Sequence, residues 1–229
     1  MRITPETIAE AFRLNNPADE FTLSLRSQHI ASIENLDTTN DIFEAIDLTD
    51  NDLRILDGIP QRLLKLKSLL VARNRIQMID PKSMQSLPNL THLSLINNNL
   101  KSLDSLKPLA ELSSLENLYL LDNPITEVKD YRLWCIATFP NLKILDFAKI
   151  KDKERADAKK LMENKAVYER LGKQVVSVKS YHSKEERNSA ETVKHLTLKE
   201  RAELKRQIQK AQTLEETERI ANILQRGYY

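Results

Sequence analysis

LTHLSLINNNL, residues 90–100, places leucine at its first, fourth, sixth and eleventh positions and asparagine at its ninth. The same frame stands before and after it, as LKSLLVARNRI at 66–76 and LENLYLLDNPI at 115–125, with Val71, Ile76 and Ile125 as aliphatic replacements. FEAIDLTDNDL from Phe43 is a fourth copy. FTLSLRSQHI from Phe21 is a degenerate first copy in which Gln28 holds the asparagine slot, and LKILDF from Leu142 supplies a sixth strand that has already lost it. Asn51, Asn74, Asn98 and Asn123 are 23, 24 and 25 residues apart, so one unit repeats from about residue 21 to 147.

The frame dictates a shape. Alternate leucines in LxL point inward from a short strand, and the asparagine after it turns the chain while its side-chain amide serves backbone groups of the neighbouring coil. Each unit contributes one parallel strand. Strands stack about 4.8 Å apart, whereas the returning segments are bulkier, so the stack curves with its strands on the concave side. The expected fold is an α/β leucine-rich repeat solenoid with helical caps and a charged, helical C-terminal tail. The leucines and asparagines hold that shape and do no chemistry.

Composition agrees. Leucine occurs 35 times in 229 residues, and 24 of these fall between Leu48 and Leu145. The glycines are Gly58, Gly172 and Gly227 alone, so neither GxGxxG nor GxxxxGK can be written, which excludes those two phosphate cradles. Cys135, the single cysteine, allows no internal disulfide and no cysteine-cluster zinc site, and is expected to pack as a small apolar residue. His29, His92, His182 and His195 have no metal-ligand spacing, and no serine sits in a nucleophile elbow. No enzyme activity, cofactor or metal is expected. No apolar run approaches the roughly 18 residues of a membrane span, and MRITPETIAEAF lacks a signal-peptide core, so no membrane contact and an intracellular protein are expected.

Charge divides the chain. Residues 1–150 carry 16 Lys/Arg against 20 Asp/Glu, and residues 151–229 carry 19 against 13. The reading is a mildly acidic body followed by a basic, solvated tail. Four regions are expected: an N-terminal cap helix over 1–20, the repeats with their C-terminal cap over 21–147, a capping extension over 148–165, and a basic tail over 166–229. Thr4 as N-cap before Pro5 and Glu6 starts the first helix, with Ile8 and Phe12 on one face. DYRLWCIATF forms the second cap, with Leu133, Trp134, Ile136 and Ala137 for burial. In the tail, helices are expected near Thr197 and from Thr213, separated by a polar linker.

Residues 120–161, LLDNPITEVKDYRLWCIATFPNLKILDFAKIKDKERADAKKL, resemble the A-prime family of the U2 small nuclear ribonucleoprotein. The resemblance rests on Asn123-Pro124, the Tyr131-Arg132 pair, Leu145-Asp146-Phe147 and the IKDKER run ending at Glu154-Arg155, with support from IENLDTTNDIFEAIDLTDNDLRILDGIP at 33–60. It covers about residues 1–165. It implies a nuclear, non-catalytic splicing adaptor that holds a B-double-prime partner carrying an RNA-recognition motif and, mainly through that partner, a U2 snRNA stem-loop. Other repeat proteins share the NPI and YR elements, so a phosphatase-binding regulatory scaffold is the alternative. The tail is expected to dock onto other spliceosomal proteins.

Concave-face positions alternate with the inward leucines. Asp47, Asp50, Leu70, Arg73, Ile96, Asn97, Tyr119, Leu121 and Asp122 are the candidate partner-binding residues, because Leu70, Ile96, Tyr119 and Leu121 in neighbouring strands make no sense on a purely solvated face. An aromatic anchor with acidic neighbours suits a partner helix with an apolar stripe and a basic rim. The alternative is that cap or tail segments of the same chain cover the patch. Lys149, Lys151, Lys153 and Arg155 are candidates for contact with the RNA backbone. No base-reading aromatic motif accompanies them, so sequence choice is expected to belong to the partner.

Overall fold

The computed structural model describes residues 2–60, 63–85 and 87–176. The expected helices near Thr197 and Thr213 and the linker before them lie outside the described residues. Six parallel strands form where the frame puts them: β2 (Phe21–Ser24), β3 (Ala45–Asp47), β5 (Ser68–Leu70), β7 (His92–Ser94), β8 (Asn117–Tyr119) and β9 (Ile144–Leu145). They are in strict register, so that Leu23, Ile46, Leu69, Leu93, Leu118 and Leu145 form one row of partners, all buried. A second, two-stranded parallel sheet joins β4 (Ile55–Leu56) to β6 (Met78–Ile79) beyond the asparagine turns. The chain returns through short 3₁₀ segments, of which Leu103–Glu111 is the longest, and a five-residue helix α2 (Pro81–Gln85).

The asparagines form a ladder. Asn98 Nδ2 donates to Val71 O of the preceding repeat (2.9 Å) and to Leu95 O of its own (3.0 Å), and its Oδ1 accepts from Ile76 N (2.9 Å). Asn51, Asn74 and Asn123 repeat the pattern one coil at a time. All four side chains are buried, so each amide satisfies main-chain groups that no water reaches.

The N-terminal cap departs from expectation. Helix α1 spans only Pro5–Glu10, capped by Thr4 Oγ1 accepting from Thr7 N (3.2 Å). Residues Phe12–Asn15 instead form strand β1, antiparallel to β2 and closing the sheet's edge. Ile8 is buried as expected, but Phe12, opposite Ser24 in the register, is 79% exposed. The cause is the turn NNPADE: Asn16 Oδ1 accepts from the backbone N–H of both Ala18 and Glu20, which reverses the chain before a longer helix can form. Glu20 then stands where the frame calls for a leucine. It is nearly buried and accepts from Ser68 Oγ (2.9 Å) and Asn16 Nδ2 (2.8 Å), which compensates a carboxylate in that slot.

At the other end α3 (Tyr131–Thr138) buries Tyr131, Trp134, Cys135 and Ile136, with Leu133 and Ala137 half-buried. Burial pushes the Cys135 thiol up, so it is inert packing. Helices α4 (Asp152–Glu163) and α5 (Lys165–Lys173) follow. The region expected to be solvated tail from residue 166 begins instead as packed structure. Tyr168 stacks on Trp134 (ring centroids 5.5 Å apart) and its carbonyl accepts from Trp134 Nε1 (3.3 Å). Ser102 Oγ donates to Gly172 O (2.7 Å), and Val176 N donates to Lys101 O. A Cβ on Gly172 would lie 2.1 Å from Asp104 Oδ1, so a larger residue there would displace the Asp104 carboxylate.

The cap motif has a physical basis. Tyr131 Oη donates to Asp146 Oδ2 (2.6 Å), while Asp146 Oδ1 accepts from Leu120 N (2.7 Å) where the asparagine ladder has run out. Arg132 reaches Leu145 O (3.0 Å) and Glu154 Oε1 (2.7 Å). The guanidinium beside it, and then the Lys151 N–H, hold the Glu154 carboxyl down at about 2. Because the folded value lies below the ordinary 4.5, this pair stabilises the fold above that pH and loses its contribution as pH falls toward 2. Arg132→Gln is expected to cost about 1–2 kcal/mol at neutral pH, the pair being partly solvated. Urea unfolding of parent and variant from pH 7 to pH 2.5 checks this: the gap should narrow below pH 4.5, and a constant gap would place the loss in the guanidinium's bonds to main-chain carbonyls.

Candidate partner-binding face

The six leucine-row residues point into the core, so the side chains between them line the opposite, open face of the sheet. Its central row is Ser24, Asp47, Leu70, Ser94 and Tyr119, linked partner to partner across the strands. The next row, two residues on, is Arg26, Thr49, Ala72, Ile96 and Leu121. Leu70, Ile96 and Tyr119 are half-buried and Leu121 is 38% exposed, so the structure brings the four apolar candidates onto one face. Ser94 is small and lies between Leu70 and Tyr119 in the register. Among the described residues, the cap helices pack elsewhere and leave these side chains accessible.

The polar candidates are more constrained than the sequence suggested. Asp50, Arg73, Asn97 and Asp122 each precede a ladder asparagine and adopt φ of 62°, 53°, 52° and 58°, the left-handed region that Asn and Asp tolerate best. The types of Asp50, Asn97 and Asp122 therefore answer first to the turn, whereas that of Arg73 does not. Asp47 accepts from Thr49 N (2.8 Å) and faces Arg26 at 3.6 Å, while Asp50 accepts from Ser27 Oγ (2.8 Å) and faces Arg73 at 3.7 Å. The Asp50–Arg73 pair and Arg75–Asp52 at 3.0 Å border a polar depression of about 450 Å³ along the strand ends. Asp122 is exposed and makes no such pair among the described residues.

The basic candidates separate. Lys149 in β10 (Ala148–Lys149), Lys151 and Lys153 are exposed around the start of α4. Arg155 is not available in the same way: its guanidinium donates to Pro140 O (2.9 Å) and Leu142 O (2.6 Å), tying α4 to the loop before β9. Phe147 is the residue that the frame conceals. It occupies the slot of the second inward leucine, yet its ring is 68% exposed and lies 4.5 Å from that of Tyr119. No cluster of three or more His, Cys, Asp or Glu suited to a metal occurs among the described residues, and no helix among them is long and apolar enough to cross a membrane.

Comparison with known proteins places this geometry. The leucine-rich repeat family pattern matches residues 1–176. The U2 small nuclear ribonucleoprotein A' of Candida albicans is 37% identical over 233 residues, covering 99% of each chain. That of Homo sapiens is 46% identical over 165 residues, 72% of this chain and 64% of the human protein. A solved chain of the Drosophila melanogaster SNF/U2A' complex superposes with a TM-score of 0.71 at 42% identity, over 75% of this chain and 98% of that one. By repeat pattern, length and identity, the chain belongs to the leucine-rich repeat family and, within it, to the U2 small nuclear ribonucleoprotein A' proteins.

Proposed function

We propose that this protein is a non-catalytic adaptor of the nuclear U2 particle in pre-mRNA splicing, holding a B-double-prime partner with an RNA-recognition motif on its open sheet face. The observation that carries the reading is the contiguous Leu70, Ile96, Tyr119 and Leu121 wall, which the described chain leaves uncovered. The Drosophila relative's complex with SNF supports it. U2 snRNA is reached mainly through that partner: the body of residues 1–150 is net acidic and repels phosphate. Lys149, Lys151 and Lys153 add a salt-sensitive backbone contribution. Residues 177–229 dock onto other spliceosomal proteins.

Two experiments test this. Tyr119→Ala and Leu121→Asp are each expected to weaken partner binding by about 2 kcal/mol, roughly thirtyfold, with the circular dichroism spectrum unchanged. Tight binding by the folded double variant would move the partner to another surface. RNA affinity is then measured for this chain, the partner and the pair at fixed salt, with matched and scrambled loops. The chain alone should bind weakly and without loop preference, and whatever it adds to the partner's RNA affinity, RNA must add to the protein–protein affinity. Tight, loop-specific binding by this chain alone would overturn the adaptor reading.

A further inference from the structure

Strands β9 and β10 form a hairpin in which Leu145 pairs with Ala148, leaving Asp146 and Phe147 as a two-residue turn. Both have positive φ, 51° and 61°. Two positive-φ residues in a two-residue hairpin define the turn type that strongly prefers Asn-Gly or Asp-Gly, and an aromatic residue at its second position is conformationally strained. Asp146 is explained, since it receives Tyr131 Oη and Leu120 N. Phe147 is not explained by the fold: glycine would suit the turn and an inward leucine would suit the frame. The chain instead holds an exposed ring against Tyr119, on the rim of the open face. Strain of this kind persists where the strained residue is used.

We propose that Phe147 and Tyr119, with Leu121 beside them, form the anchor subsite of the partner-binding face, taking one apolar side chain of the partner's helix. Asp122, next in chain to Leu121, receives a Lys or Arg of that same helix. Charge selects this occupant. Asp47 and Asp50 already face Arg26 and Arg73, and Asp146 is held by the cap, whereas the exposed Asp122 carboxylate has no ion pair among the described residues. A helix carrying an apolar residue with a basic neighbour about one turn away matches both features. The inference rests on the open-face reading above and narrows it to the C-terminal rim.

Phe147→Gly in the full-length chain separates use from structure, because it supplies the residue the turn prefers while deleting the ring. Thermal midpoint and affinity for the purified RNA-recognition-motif protein of the same U2 particle are measured together. The expected result is a midpoint no lower than the parent's and an affinity reduced at least tenfold. Phe147→Tyr, which keeps the ring, should bind within about threefold of the parent, and Asp122→Asn should weaken binding and flatten its salt dependence. Leu70→Asp is measured in parallel. If it weakens binding while Phe147→Gly does not, the anchor subsite is wrong and the open-face reading stands. If neither weakens binding, the open-face reading itself falls. A lower midpoint with unchanged affinity makes the ring part of the cap and overturns the proposal.

Discussion

Replacing Asn98 by alanine should lower the stability of the repeat domain by about 3–5 kcal/mol, more than any exposed substitution on the sheet face. The side chain makes close hydrogen bonds to Val71 O, Leu95 O and Ile76 N, spanning two repeats. Alanine removes the amide without moving these main-chain groups toward solvent, so two or three buried polar groups lose their partner at about 1–3 kcal/mol each. Partial relaxation keeps the sum below the upper limit. Asn98→Asp sharpens the test, since it keeps the acceptor for Ile76 N but replaces the donor with a carboxylate oxygen facing two carbonyls. It should be at least as damaging at neutral pH. Urea unfolding measures both. A loss below about 1 kcal/mol for alanine would mean that water enters the ladder and takes over the amide's bonds.

The ladder also shows what the sequence could disclose. Once the period is known, residues about 23 apart at one frame position are stacked neighbours, so the leucine row and the bonds of Asn51, Asn74, Asn98 and Asn123 follow from spacing alone. The same arithmetic brings Asp50 to Arg73 and Asp52 to Arg75, each 23 apart, so those ion pairs are legible in the spacing as well. What spacing could not give lies where the frame breaks. The four-residue spacing of Ile8 and Phe12 predicts one face of a helix, but the Asn16 turn outweighs that periodicity. Phe147 fits the frame as an inward residue, and only the hairpin with β10 turns it outward. Helix α5 was hidden by charge. Its buried side is carried by Val167, Tyr168 and Leu171 among four Lys, Arg and Glu residues, too few apolar positions to outweigh the composition of the region.

That helix bears on the second large effect, Trp134→Ala, expected to cost about 3–5 kcal/mol as a fully buried aromatic truncated in a packed cap. Two losses combine there: the cavity under the last repeats, and the contact with Tyr168, whose carbonyl loses its indole donor. Tyr168→Ala should separate them. It removes the stacked ring and the hydroxyl that meets Thr138 Oγ1 (2.9 Å), but leaves Trp134 packed among α3 and the repeats. Its cost should be smaller, about 1–2 kcal/mol, with α5 loosened and the emission of Trp134, the chain's single tryptophan, shifted to the red. A solenoid is stabilised through nearest-neighbour contacts, so the damage should be graded by how directly each residue closes the terminal coil. Trp134 closes it, and Tyr168 covers the residue that does. Binding should follow the same order, because α3 positions the rim of the open face through Tyr131 on Asp146 and Arg132 on Leu145 O. Trp134→Ala should therefore lose partner affinity at temperatures where most of its helical and strand signal survives, while Tyr168→Ala retains it. Equal losses of stability from the two variants would instead make α5 and the cap one cooperative unit, with the repeats unable to close without residues 165–173.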